Sequence, residues 1–285
     1  MLTRIGLNNV ISSMQSTNSQ IQKYQDQTDT GIKIQKPSDD PVAANQIGNL
    51  NRSLSNNSAY TSNVKTATAV SDQSGAALSD MATQLSSIQN YLQQAMNSTS
   101  NDSTRGVLAG EIGSAADQIN SYKTTTDSNG NALFPASSNQ LITYPIGDNR
   151  SVAATLSQSQ VFSFTASSGS SAGTSVDLTT LLQNTQTAIK NNDTAGMSDA
   201  LGQIQDAITN TTNMQGQQGV LATQLSNQSD RLSSQSVTLK TTRSSLQDAD
   251  VTEVYSNLSA LVTQQAAEQS ALIRVSSSNL FDKLG

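Results

Sequence analysis

The chain has 285 residues, with 15 basic and 21 acidic side chains, a formal net charge of −6 and no His, Cys or Trp. Without His and Cys there is no zinc site of the usual nitrogen and sulfur ligands, no thiol nucleophile and no Ser-His-Asp triad. Ser, Thr, Asn and Gln fill 131 positions, while the few apolar residues recur at regular spacing. This composition is typical of long helices that each bury one narrow face.

Binding to nucleic acid or membrane is also disfavoured. An acidic chain with four Phe and six Tyr offers little to a phosphate backbone. The longest apolar run is three residues, too short to cross a bilayer. The opening residues lack the apolar core of a signal peptide, so we expect any secretion to proceed without a cleaved signal.

The first predicted element is a weakly amphipathic helix over residues 1 to about 35. Its apolar positions recur at heptad spacing and lie at Leu7, Val10, Met14 and Ile21. This spacing keeps one face of a helix against a partner. Thr17 and Thr28 interrupt the apolar face, so the helix would be marginal on its own.

A connector with two prolines follows, and it contains Pro37, Ser38, Asp39, Asp40 and Pro41. Asp40 before Pro41 predicts an N-cap with proline at the first helical position. Apolar residues then recur every three or four positions for roughly 55 residues, which predicts a rod-like helix much longer than the ~11–12 residue average. A shorter helix with Leu108, Ile112 and Ile119 comes next.

The pattern changes to short β-type runs over residues 124–177. Three runs, at 141–144, 151–155 and 161–165, are separated by Gly, Asp and Asn and predict a small sheet or a pair of hairpins. The Ser- and Gly-rich segment 167–173 is predicted to be flexible. Charged residues are too sparse in this insert for a catalytic constellation, and we predict no catalytic residues, cofactor or metal.

Two helical segments end the chain. Leu225, Leu232, Leu239 and Leu246 form a regular heptad, which is interpreted as core within the chain. The phase then shifts, and the spacing of Asp250 and Glu253 predicts a new helix start. The predicted apolar face of this last helix is the set Val251, Val254, Leu258, Leu261, Val262, Leu272, Val275, Leu280, Phe281 and Leu284.

The predicted organisation is nested. Residues 1–40 and 249–285 form a terminal coiled-coil domain, residues 41–123 and 178–248 a helical rod domain, and residues 124–177 a small outer β domain. Neither terminal helix can cover its apolar face alone, so we expect each to pack on the other and on neighbouring copies. The paired acids Asp39 and Asp40 are interpreted as a helix N-cap together with an acid in the first turn, because two carboxylates provide too few oxygens for a hard cation.

Segments at both ends resemble bacterial flagellins and hook-associated proteins. Residues 28–44, with the string Pro-Ser-Asp-Asp-Pro, are similar to the turn after the first helix in this family, in the form found at the hook–filament junction. Residues 246–267 and the ending Ser-Asn-Leu-Phe-Asp-Lys-Leu are similar to the C-terminal motifs of the family. The resemblance covers residues 1–123 and 178–284.

The resemblance implies a mainly α fold: an elongated flagellin-like rod of long antiparallel helices with terminal coiled-coil helices and a central β domain. It implies a structural, non-enzymatic subunit that joins the hook to the filament outside the cell after flagellar type III export. Implied partners are a ring of copies of itself, hook-associated protein 1, flagellin and a cytoplasmic export chaperone. Two alternatives stay open: a filament subunit, and an adhesin or enzyme acting through the β insert.

Overall fold

The computed structural model of the protein describes residues 2–97 and 100–281, with side chains at residues 8–97 and 100–274. Within this part of the chain the fold is mainly helical with a small strand insert, as the sequence predicts. The α-helices are α1 (Leu2–Thr30), α2 (Pro41–Ala95), α3 (Asp102–Ser121), α4 (Gln158–Val161), α5 (Leu178–Lys190), α6 (Thr194–Gln247) and α7 (Val251–Phe281). The strands are β1 (Thr143–Gly147), β2 (Arg150–Ala153), β3 (Ser163–Thr165) and β4 (Ser175–Asp177).

The chain divides into two compact units. The terminal unit contains residues 1–56 and 236–285, and the central unit contains residues 57–235. Helices α2 and α6 each contribute residues to both units. The three-domain division inferred from the sequence stays a prediction.

The central unit has one hydrophobic core, built from the apolar faces of α2, α3, α5 and α6 and from the insert. Its largest fully buried aliphatic side chains include Leu78, Met81, Leu85, Ile88, Leu92, Ile112, Ile119 and Leu182. Helix α3 packs on α5. Of the C-terminal heptad, Leu225 and Leu232 belong to this core, whereas Leu246 packs against a small cluster in the terminal unit.

The insert contains two antiparallel two-stranded sheets, as in the predicted pair of hairpins, but with four strands instead of three. Strand β1 pairs with β2, and β3 pairs with β4. The run at 161–165 is a strand only from Ser163, because Val161 ends the short helix α4. That helix is favoured locally, since the Ser157 N–H donates to Oε1 of Gln160 at 3.0 Å. The segment predicted to be flexible contains a 3₁₀ turn, and it connects β3 to β4.

Amide side chains fasten the insert to the helices of the central unit. The Nε2 group of Gln218 donates to the Ala154 carbonyl at 2.8 Å, and that of Gln228 donates to the Ile146 carbonyl at 2.6 Å. Inside the insert, the rings of Phe134 and Phe162 meet edge-to-face at 6.0 Å between centroids. The glutamines therefore satisfy backbone carbonyls that the short strands leave unpaired.

Candidate functional site: the paired terminal helices

The terminal helices α1 and α7 pack against each other in antiparallel fashion. The heptad positions of α1 face the pair, where Thr17 and Ile21 are buried at 2% and 8% exposure. On α7, Val254 is 5% exposed. Val10, Met14, Leu258, Leu261 and Leu272 are only half-buried. The pair therefore covers its apolar faces incompletely within one chain.

A polar layer crosses the middle of this pair. One carboxylate oxygen of Glu268 accepts hydrogen bonds from Ser13 Oγ at 2.8 Å and from Thr17 Oγ1 at 3.1 Å. Next to it, Gln265 Nε2 donates to Asn18 Oδ1 at 2.5 Å. These bonds form in one alignment of the two helices, so the layer selects a register, as polar core positions do in coiled coils.

The carboxylate of Glu268 is held in its charged form. Hydrogen bonds from the amide of Gln264 and the hydroxyls of Ser13 and Thr17 keep its pKa below the usual range for glutamate. Its second oxygen, Oε2, is shielded from solvent and has no hydrogen-bond partner in the part of the chain that the structure describes. Glu268 forms no ion pair among the residues that the structure describes. The layer is thus built from neutral donors around one charge.

Helix α7 also presents a second apolar face, here called the outer stripe, formed by Val251, Tyr255, Val262 and Ile273. All four side chains are exposed, from 47% at Val251 to 67% at Ile273. At 3.6 residues per turn they fall within roughly 40° of arc, and they border the face that contacts α1, since Val251 lies roughly 20° around the helix from Leu258. Tyr255 and Ile273 are absent from the apolar face predicted from the sequence. The seven-residue spacing of Tyr255 and Val262 could have indicated that Tyr255 belongs to it.

The turn after α1 is fastened to the end of α6. Gly31 has φ +68°, which favours glycine, and it ends the helix. The Gly31 carbonyl accepts from the Ala249 N–H at 2.9 Å, and the Lys33 N–H donates to the Gln247 carbonyl at 2.7 Å. The family-type turn motif therefore holds both helix connections of the terminal unit together.

The two aspartates of the turn motif have different roles. Asp40 caps α2: its Oδ1 accepts from the N–H groups of Val42 and Ala43, each at 3.0 Å. Asp39 lies before the cap, where backbone N–H groups of Lys36 and Gln35 bond its Oδ2. The bond from Lys36 is the largest cause of its lowered pKa; burial opposes it, and the bond from Gln35 and the Lys23 ammonium at 3.3 Å add to it. The prediction that both acids sit in the helix start is therefore wrong for Asp39.

The C-terminal helix is capped in a similar way. Asp250 Oδ1 accepts from the N–H groups of Thr252 at 2.9 Å and Glu253 at 3.2 Å. A groove of about 660 Å³ in the terminal unit lies between this cap and the turn motif. Lysines and carboxylates are mixed along it, and Asp39, Asp40 and Asp250 already bond backbone amides.

Other predicted positions fall elsewhere. Pro41 is the first residue of α2, and Pro37 and Ser38 belong to the exposed turn before it. The side chains of Leu7, Val275, Leu280 and Phe281, and the whole of Leu284, lie outside the described residues. Among the residues described, no group of three or more His, Cys, Asp or Glu is placed to hold a metal ion. No described helix is both long and apolar enough to cross a membrane.

Comparison with known sequences matches both ends of the chain. The bacterial flagellin N-terminal helical region matches residues 2–139, and the bacterial flagellin C-terminal helical region matches residues 201–283. Flagellar hook-associated protein 3 of Escherichia coli K12 is 37% identical over 120 residues, covering 41% of this chain and 38% of that protein. The protein of the same name from Salmonella typhimurium LT2 is 33% identical over 120 residues, with the same coverage of 41% and 38%. The aligned segment thus spans well under half the length of these relatives.

Solved structures share the fold at low sequence identity. A proposed flagellar hook-associated protein from Vibrio parahaemolyticus has a TM-score of 0.65 at 16% identity, covering 74% of this chain and 100% of that chain. Hook-associated protein-3 from Legionella pneumophila has a TM-score of 0.60 at 14% identity, covering 70% and 98%. At these identities the similarity concerns the fold alone.

Proposed function

The chain belongs to the bacterial flagellin family, and from this premise we propose that it is a structural subunit that joins the flagellar hook to the filament. The observation that carries the proposal is the terminal helix pair, which leaves an apolar outer stripe on α7 exposed in a single chain. An exposed stripe of this kind is typical of a surface that another protein covers.

Similarity to hook-associated protein 3 supports a structural component of the flagellum, and the matched relatives are structural proteins rather than enzymes. The more specific junction role rests on the turn motif at residues 37–41 and on those relatives. A filament subunit would use the same terminal helices, so the two roles differ in where and how many copies assemble.

The proposed mechanism is assembly through the terminal helices. Copies lie side by side in a ring, and residues 1–40 and 249–285 of each copy form an inner tube of packed helices. Neighbouring copies cover the apolar side chains that remain exposed in one chain. These are the half-buried Leu258, Leu261 and Leu272 and the outer stripe. Removing apolar area from water at ~25 cal/mol per Å² drives this packing, and it recurs at every copy.

We also propose the partners that such a ring requires. Hook-associated protein 1 would lie on the hook side and flagellin on the filament side. Before type III export, a cytoplasmic chaperone would cover the apolar faces of α7, which otherwise favour premature association. A chain truncated after residue 249 is expected to lose chaperone binding in a pull-down; undiminished binding would place the chaperone site elsewhere.

Immuno-electron microscopy of isolated hook–filament structures tests the junction role. The expected result is a single band of label where the hook ends, together with secretion of unpolymerised flagellin and intact hooks when the gene is deleted. Label along the whole filament would instead identify a filament subunit. A deletion that leaves motility unchanged would overturn both flagellar roles.

A further inference from the structure

The charge of the chain is concentrated in the central unit. Residues 57–235 contain twelve acidic and six basic side chains, so the formal charge of −6 resides there and the terminal unit is balanced. Copies placed side by side in a ring therefore bring like-charged units together. Such an arrangement needs basic sites that receive the carboxylates of a neighbour.

Two of the six basic residues are used inside the unit: Arg105 pairs with Asp102, and Lys123 pairs with Asp177 at 3.3 Å. Arg150 and Arg231, in contrast, form no ion pair among the described residues. Both line one groove of about 500 Å³ between the β1–β2 hairpin and α6. We call it the arginine groove.

A buried amide forms part of the wall of this groove. Gln228 lines it and is only 5% exposed. Its Nε2 donates to the Ile146 carbonyl, but its Oε1 is shielded from solvent and has no hydrogen-bond partner among the described residues. A buried acceptor without a partner is costly, and it needs a donor, which a carboxylate does not supply. Gln224 and Asn227 add two more amides to the same wall.

The chemistry of the groove fits carboxylates. Each guanidinium presents a planar fork of N–H donors that matches a carboxylate in bidentate fashion. The carboxyls nearest in sequence, Asp148 and Asp230, do not line the groove, and Asp148 accepts a bond from Tyr60 Oη at 2.9 Å. The positive charge of the groove is thus available to a second molecule.

Helix α3 of this same chain carries a matching surface. Glu111, Ser114 and Asp117 follow one another at three-residue steps, which places them along a single ridge of the helix. All three are exposed, and neither acid forms an ion pair among the described residues. At the exposed Gly110 an added Cβ would meet nothing, so a neighbour can approach closely beside the ridge.

We propose that the arginine groove of one copy receives Glu111 and Asp117 from helix α3 of the next copy. The two surfaces are formed by different residues of the chain, so the contact is heterologous, and a contact of this kind can close into a ring. The proposal rests on the proposed function, and it assigns to the central unit a contact separate from the terminal helices.

The first test reverses charge on the two sides of the contact. Arg150→Glu with Arg231→Glu, expressed in a strain lacking the gene, is expected to reduce incorporation into isolated flagella roughly tenfold or more. Adding Glu111→Lys and Asp117→Lys to the same chain should restore incorporation. Lys65→Glu with Lys190→Glu is the matched control: it makes the same charge change at exposed lysines outside the groove and should incorporate normally.

The second test uses the absence of cysteine from the chain. Asn227→Cys in the groove and Ser114→Cys on the ridge should yield cross-linked multimers in isolated flagella, whereas each single variant should not. Absence of this cross-link, or wild-type incorporation of the arginine variant, overturns the proposal. If Leu258→Asp blocks assembly while the arginine variant assembles, only the groove proposal fails; if both assemble normally, the proposed function fails.

Discussion

The hydroxyl of Thr17 donates to the carboxylate of Glu268 across the terminal helix pair, with 3.1 Å between the two oxygens. Thr17 is 2% exposed and occupies a heptad position of α1, where an apolar residue would pack more favourably. The polar layer therefore reduces the apolar area buried between the two helices, but it fixes their alignment. Such a device matters here because both helices are only weakly amphipathic.

Replacing Glu268 with leucine should relax this alignment without unpairing the helices. The apolar side chain fits the heptad seam, but it no longer distinguishes one register from another. Disulfide formation measures the effect: Asn18→Cys with Gln265→Cys reports the native register, and Asn18→Cys with Leu258→Cys reports a shift of one heptad. In the Glu268→Leu background we expect the yield of the shifted disulfide to rise relative to that of the native disulfide. An unchanged ratio of the two yields would show that the layer does not set the register.

The same layer makes the terminal pair sensitive to acid. The folded-state pKa of Glu268 lies below that of an unfolded glutamate, about 4.3. The stabilisation that the ionised carboxylate gives to the helix pair is therefore complete above that value, and it is lost as the pH falls through the lowered pKa. Amide protection factors in α1 and α7, which correct for the intrinsic pH dependence of exchange, should therefore fall on acidification below about pH 4.3. Glu268→Gln removes the titrating group, and its exchange should show less of this pH dependence.

Much of the helical architecture was accessible from sequence, because it depends on short-range spacing. Asp40 before Pro41 placed the start of α2, where the structure has it. Strand β4 was missed, since a run of three residues is too short to establish a strand period, and it pairs with β3. In the sequence, the polar layer is visible only as an interruption of the apolar face. The arginine groove could not be predicted from local spacing, because it brings together Arg150 and Arg231 from distant segments.

Loss of the Asp40 cap should weaken the beginning of α2. Asp40→Ala leaves the N–H groups of Val42 and Ala43 without their acceptor, at a cost of about 1 kcal/mol, whereas Asp40→Asn keeps an acceptor oxygen. Hydrogen exchange at residues 42–46 measures the difference. Equal protection in the alanine and asparagine variants would contradict a capping role.

Truncating Phe162 tests the independence of the insert. Its ring is 1% exposed and contacts Phe134, so Phe162→Ala should lower the stability of the central unit by about 3–5 kcal/mol. Val107→Ala, at a position 63% exposed, is the matched control and should change stability by less than about 0.5 kcal/mol. Urea denaturation measures both, and assembly should survive Phe162→Ala as long as the unit stays folded.

A charge on the inner face of α7 should block assembly while leaving the central unit folded. Leu258 and Leu261 are half-buried in one chain, so Leu258→Asp or Leu261→Asp is tolerated in the monomer but becomes buried and unpaired when a neighbour packs against it. A buried charge without its partner costs about 3–5 kcal/mol, and the loss recurs at every copy in the ring.

The exposed neighbour Ser259 provides the control, since Ser259→Asp introduces the same charge one position away. Val262→Asp extends the comparison to the outer stripe, where the same loss is expected if neighbours cover that face. Motility, secreted flagellin and monomer circular dichroism are measured for each variant. Normal swimming of Leu258→Asp would show that the terminal helix is not an assembly surface, and the junction role would lose its mechanism.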